Sequence, residues 1–417
     1  MSLLALVLCT LFFPVVFGTR TLLSASRGSA SITSQGAYQA KEVVWAYPRR
    51  SGDPGAVAWF PEPYYAFTHN QIVREHAPPL WNPYNGCGVP FLANMQSQVF
   101  NPIQTAAWLH PSPRAADMYI LGRLLLAGTL TYCFLRLLTT FAPALLGAVA
   151  YMLTGYMVIF IGMPDISVCA LIPGLFWRLE CLYRRGAKFM DVALLSLFTT
   201  LVVVGGMPEV SFLALLFGSL YYTLRVWWHG GNTYGSVARR LAPLACAYTL
   251  GAALAAPQII PFLEYLSESS NAHAVAGTSQ PGLTAAPLIN LVNYVAPLAF
   301  GPLGAPGLVA APERIWLSGY FGASVLFLAM TGVWAAFRQG SHRPGNAAKL
   351  LAAFSAASAM FFMSMRFGIP PLEWAGSLPV FKMIVFWKYG EPFLGFFIAT
   401  LAATGLASIG RRQSGGG

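Results

Sequence analysis

Ten apolar stretches punctuate this chain, at about 2–19, 117–137, 141–162, 167–183, 188–206, 209–228, 241–264, 316–337, 348–364 and 388–409. Most are close to the roughly 20 residues an α-helix needs to cross a hydrocarbon core. Across the whole chain 56% of residues are hydrophobic and 9% are charged, whereas a soluble domain carries about a quarter charged residues. The pattern predicts an all-α polytopic membrane protein with about ten transmembrane helices. The first stretch, from Met1 to about Gly18, has no basic leader and no small-residue cleavage site, so it is read as a retained helix.

The formal charge of +11 does not point to nucleic acid, because the basic residues are dispersed at the ends of the apolar runs. Arg136, the group Arg178, Arg184, Arg185 and Lys188, the group Arg225, Arg239 and Arg240, then Arg338, Arg343 and Lys349, and finally Arg411 and Arg412 all fall on one side of the alternation. By the positive-inside rule that side is cytoplasmic, which places both termini inside. The expected organisation is a first helix at 1–19, an outer loop at 20–116, helices at 117–264, an outer loop at 265–315, helices at 316–410 and a polar tail at 411–417. The six cysteines show neither a disulfide framework nor metal-ligand spacing.

All acidic residues except Glu180 and Asp191 fall on or near the outer face, so any chemistry is expected there. Two outer turns echo one another, Gly162-Met163-Pro164-Asp165 and Gly206-Met207-Pro208-Glu209. In each, a proline and an acid suit a helix start and its dipole, so Asp165 and Glu209 are either simple N-terminal residues or substrate-binding carboxylates. Glu264 and Glu391 are ionisable groups near membrane depth, which makes them functional candidates; Lys388 and Glu391 are also spaced for a local i, i+3 pair. His69 and His76 lie seven apart, about two turns, which would put them on one face of a helix; they are read as surface residues in preference to a metal pair.

The stretch from Asp53 to Pro102 is the richest in motifs. Its Trp81-Asn82-Pro83-Tyr84-Asn85-Gly86-Cys87-Gly88 run joins aromatics suited to a sugar face or a headgroup belt with turn-forming Pro and Gly, and the amides Asn94, Gln96 and Gln98 follow. This run resembles the YfhO-type family of bacterial membrane proteins, as do the Gly206–Glu209 turn, the segment from Ala256 through Pro257-Gln258 to Glu264 with the serines after it, and Trp316-Leu317-Ser318-Gly319-Tyr320-Phe321-Gly322. Members of that family are thought to be GT-C-type glycosyltransferases, and the resemblance extends from about residue 45 to 410. They are usually much longer, so on this comparison the chain looks truncated, with part of a site absent or supplied by a partner.

The resemblance implies transfer of a sugar from a polyprenyl-phosphate donor to an envelope glycan or protein acceptor, at the outer face of a bacterial inner membrane. It marks Asp53 as the base that accepts the acceptor's hydroxyl proton, with Glu62 in reserve. Read as residues alone, Asp53 before Pro54 is a turn former. Trp81, Asn82 and Tyr84 would contact sugar or pack the loop. Arg366, Lys382 and Lys388 would neutralise the lipid phosphate or anchor helices at the interface. GT-C enzymes differ in metal use, so a divalent metal is left open. No Walker or Rossmann fingerprint is present, which fits a lipid-linked donor. The rival classes are a transporter or flippase of lipid-linked substrates and a non-catalytic scaffold.

Overall fold

The computed structural model describes residues 1–23, 60–229, 234–269, 288–297, 299, 319–338 and 347–414. The chain opens with α1 (Ser2–Leu11) and a short α2 (Phe13–Val16). Asp117 accepts hydrogen bonds from Thr21 Oγ1 at 3.0 Å and from the Leu22 amide at 2.8 Å, and Arg114 donates to the Val15 and Val16 carbonyls. These contacts tie the exit of the first helix to the start of the helix at 113.

The next described residues build a compact cap. It contains α3 (Pro61–His69), a π-turn at Asn70–Arg74, a two-residue hairpin of β1 (Trp81–Asn82) and β2 (Val89–Pro90), a 3-10 turn at Met95–Ser97, and α4 (Thr105–Leu109). The hairpin is antiparallel, with Trp81 opposite Pro90 and Asn82 opposite Val89. Gly88, at φ +112°, packs its α-carbon under the Trp81 indole, where a Cβ would sit 2.5 Å from Nε1.

The bundle follows as α5 (Pro113–Arg136), α6 (Phe141–Met152), α7 (Gly155–Ile159), α8 (Asp165–Arg185), α9 (Phe189–Val203), α10 (Pro208–His229), α11 (Tyr234–Leu254) and α12 (Ala256–Glu268). A 3-10 helix at Leu288–Tyr294 precedes α13 (Ala323–Arg338), α14 (Ala347–Phe367), α15 (Phe386–Tyr389) and α16 (Glu391–Ser414). Proline opens α3, α5 and α10, where its missing N–H costs nothing. Ser112 caps α5 by accepting from the Ala115 amide at 3.1 Å.

The central helix is α8, which packs against α5, α9 and α10; α16 packs against α6, α13 and α14. Aromatic rings join the two halves, with Phe176 of α8 lying 5.1 Å from Phe396 and 5.5 Å from Tyr221 between ring centres. Along α13 and α16, Gly332 meets the Leu401 carbonyl and Gly405 meets the Leu328 carbonyl, leaving no room for a side chain at either glycine. Such small-residue contacts are how helices approach closely in lipid, where burial of apolar surface gives little drive for association.

The expected count of about ten spanning helices is not confirmed among the described residues. Among the described residues five helices are long and apolar enough to cross a membrane, or six if the bent pair of α11 and α12 forms one span. Helices stand where the other four spans were expected, but α1, α6, α9 and α13 are apolar helices of only 10–17 residues. At 1.5 Å per residue these fall short of the roughly 30 Å core. The apolar run at 141–162 is interrupted at Leu153–Thr154, where the Gly155 amide leaves the helix to donate to the Tyr320 carbonyl at 2.8 Å. The run at 241–264 turns by 73° between Leu254 and Ala256.

Helix polarity follows the charge alternation. α8 and α10 both begin with a carboxylate, Asp165 or Glu209, and carry their arginines at the far end. At that basic end Glu180 accepts from Arg184, Tyr221 and, through two bonds, Arg225, while Asp191 pairs with Arg178 at 2.9 Å and Arg185 at 3.4 Å. The two acidic residues that break the outer-face rule are thus both paired with arginines at the basic end of the bundle.

Candidate functional site

The carboxylate end of the bundle gathers ionisable side chains from four elements. Asp165, the first residue of α8, is 2% exposed and accepts from the Tyr156 hydroxyl of α7 at 2.5 Å. Glu209, in the first turn of α10, has a buried Oε2 without a hydrogen-bond partner among the described residues. Lys388 of α15 lies within electrostatic range of both carboxylates, and so does Tyr389. The Lys388 ammonium sits 5.1 Å from the Phe160 ring centre and 5.3 Å from that of Tyr389, and among the described residues it makes no salt bridge.

Beside this group Glu391, opening α16, pairs with Arg366 at the end of α14 at 2.5 Å. Tyr294 donates to the same carboxylate at 3.0 Å, and Arg366 also donates to the Trp387 carbonyl at 2.7 Å. Burial pushes the Tyr294 phenol well above its ordinary value, which keeps it protonated and able to donate. The local i, i+3 pairing of Lys388 with Glu391 is therefore not formed. Glu391 is held by Arg366, and Lys388 is half-buried.

The amides after the hairpin hold both outer turns. Gln98, at φ +52°, donates to the Pro164 carbonyl at 2.8 Å and accepts from Asn101, Tyr119 and Ser167. Gln96 reaches Met207 Sδ at 3.5 Å. Arg123, fully buried in α5, donates to the Ile161 carbonyl at 2.6 Å and the Met163 carbonyl at 2.8 Å, with its guanidinium 4.4 Å from the Tyr119 ring centre. The segment from Leu92 to Phe100 also walls an apolar cleft of about 450 Å³, completed by Ile72, His76 and Pro78.

Gly206 takes φ +98°, and a Cβ there would fall 2.5 Å from Gln98 Nε2, which is itself held in place. Gly206→Ala is expected to lower stability by about 2–4 kcal/mol, combining backbone strain with this clash. Gly186, at φ +73° with open space around it, serves as the control: Gly186→Ala should cost only the strain, about 1–2 kcal/mol. Thermal unfolding of both variants in detergent compares them.

The other sequence candidates are dispersed. Asp53 lies outside the described residues. Glu62 is in the first turn of α3 and half-buried. Asn82 is buried and its Oδ1 accepts from the Tyr84 amide at 3.0 Å, an Asx turn that shapes the hairpin, while Trp81 and Tyr84 are exposed. Glu264 is exposed on α12, and Lys382 is exposed in a 3-10 turn at Phe381–Met383. His69 Nδ1 lies 3.1 Å from the carbonyls of Trp108 and Leu109, joining α3 to α4, and His76 lies beyond the helix at φ +52°, so the two do not share a face. Among the described residues no group of three or more His, Cys, Asp or Glu is placed to hold a metal.

Sequence reasoning passed over Arg123, Tyr156 and Tyr294. Arg123 carried a usable signal, an ionisable group inside an apolar run; the two tyrosines had none.

No family model and no curated relative matches the chain. Among solved structures, the oligosaccharyltransferase of Archaeoglobus fulgidus in its apo form is similar over 94% of this chain and 50% of its own, with a TM-score of 0.48 and 11% identity. The chain thus spans about half the length of that protein.

Proposed function

We propose that this chain is a membrane glycosyltransferase of the GT-C type, transferring a sugar from a polyprenyl-phosphate donor to an envelope glycan or protein acceptor. In this reading it resides in a bacterial inner membrane with both termini cytoplasmic, and the carboxylate end faces outward. The observation that carries the reading is Lys388: a half-buried ammonium that makes no salt bridge among the described residues, at one end of a multi-pass bundle, beside Asp165, Glu209 and Tyr389.

The chemistry follows from that placement. An acceptor hydroxyl attacks the anomeric carbon while a carboxylate takes its proton, the bond from that carbon to the phosphate oxygen breaks, and the lipid phosphate leaves as an anion. Asp53 is the proposed base, with Glu62 in reserve, both on the family resemblance. Lys388 meets the charge growing on the leaving phosphate, where a fixed cation in a partly dry site acts most strongly. Arg366 already neutralises Glu391 and holds the start of α16 next to it.

A transporter of lipid-linked substrates is the second reading, favoured by the break between α6 and α7 beside charged groups, a feature of transporter sites. Sugar transfer from polyprenyl-phosphate donors to endogenous acceptors, in membranes carrying wild type or Asp53→Asn at matched expression, separates the two. Transfer that is lost in a folded Asp53→Asn supports the enzyme. Absence of transfer by wild type with every donor tried sinks it.

A further inference from the structure

The apolar run at 241–264 does not continue as one helix, and what its second half does can be read from packing. α11 runs with the bundle: the Tyr222 hydroxyl donates to the Arg240 carbonyl at 3.0 Å, the Tyr248 hydroxyl to the Leu215 carbonyl at 3.4 Å, and Thr200 Oγ1 to the Gly251 carbonyl at 3.0 Å. With 21 residues it is about 31 Å long, the thickness of the core, although it passes as apolar enough to span only when taken together with α12. Arg239 and Arg240 mark its basic end, so it delivers α12 at the carboxylate end. There α12 departs at 73° to α11.

Three strips run along α12. Gln258 is buried on the protein side, and its Nε2 donates to the Leu92 carbonyl of the cap at 2.6 Å. Ile260 and Leu263, spaced i, i+3, are 64% and 56% exposed, and Leu254 just before the bend is 64% exposed. Glu264 and Glu268, spaced i, i+4, form an exposed acidic strip on the neighbouring side. An apolar strip and an acidic strip side by side on an exposed helix suit neither a wholly aqueous nor a wholly lipid setting.

We propose that α12 lies in the membrane–water interface, in the plane of the bilayer, with Ile260 and Leu263 among the acyl chains and Glu264 and Glu268 in the aqueous layer. Its partner is the lipid surface itself. No Lys or Arg lies between Ala256 and Glu268, so the helix is seated by apolar contact and not by anionic headgroups. Through the Gln258–Leu92 bond it fixes the depth of the segment whose Gln98 and Gln96 reach the two outer turns at Pro164 and Met207. The placement is independent of whether the chain transfers sugars.

The test uses full-length protein in phosphatidylcholine vesicles, with the native cysteines replaced and one spin label introduced through Leu254→Cys, Ile260→Cys, Leu263→Cys, Glu264→Cys or Glu268→Cys. All five sites are exposed, so the labels should be tolerated; wild-type thermal unfolding of each labelled protein checks the fold. Collision with dissolved oxygen should exceed collision with a water-soluble nickel chelate at 254, 260 and 263, and the order should reverse at 264 and 268. Nickel dominance at all of 260, 263, 264 and 268 would place α12 in water. Oxygen dominance at all four would make it the second half of a bent span. Either uniform result overturns the proposal.

Discussion

Glu180→Ala should destabilise the bundle by about 3–5 kcal/mol, the cost of leaving a buried partner charge unmatched. Glu180 is fully buried and accepts from Arg184 Nε at 2.7 Å, Tyr221 Oη at 2.9 Å, and Arg225 through Nε and Nη2, each at 3.1 Å. Arg184 is partly exposed and can turn toward water, but Arg225 is 4% exposed and stacks 4.2 Å from the Tyr183 ring centre. Its guanidinium would remain inside the bundle without a counter-charge. The double variant Glu180→Leu with Arg225→Met should regain much of the loss, because replacing both partners removes the unpaired charge along with the pair. Thermal unfolding of the two single variants and the double in detergent tests this. A double variant as unstable as the sum of the singles would show that the helices depend on packing around these residues and not on their charge balance.

The second large effect is on activity. Lys388→Met should reduce sugar transfer by roughly 100- to 1,000-fold, the range seen when a group stabilising transition-state charge is removed. Thermal stability should change little, since among the described residues Lys388 makes no salt bridge and its ammonium lies against the rings of Phe160 and Tyr389. Lys388→Arg should retain part of the rate, and Lys382→Met, on an exposed turn, should stay within a few-fold of wild type. Initial rates with a polyprenyl-phosphate donor, read beside unfolding curves, separate loss of chemistry from loss of fold. Equal losses for the two methionine variants would remove Lys388 from its proposed role and point to a diffuse basic surface.

The starts of α8 and α10 were readable because a Pro followed by an acid is a local signal, and both helices begin there, at Asp165 and Pro208. The hairpin of the Trp81-Asn82-Pro83-Tyr84 run was readable as a shaped loop because its Gly and Pro specify backbone conformations. The pairing of charges was not readable. Lys388 and Glu391 have the spacing of a helical pair, yet the chain breaks at Gly390 between α15 and α16, and Glu391 meets Arg366 and Tyr294 instead. The grip of Gln98 on Pro164, 66 residues away, likewise left no trace in local pattern.

The sequence by itself determined that the chain is a set of membrane helices, which ends carry arginine and which carry carboxylate, and where several helices begin. These depend on hydropathy, charge and capping, which act within a few residues. Only the tertiary structure decided how many of the apolar runs are long enough to span, where α11 gives way to α12, which carboxylate neutralises which cation, and that Lys388 makes no salt bridge among the described residues. Those outcomes depend on how helices rotate and pack against partners far away in the chain, and hydropathy is blind to rotation.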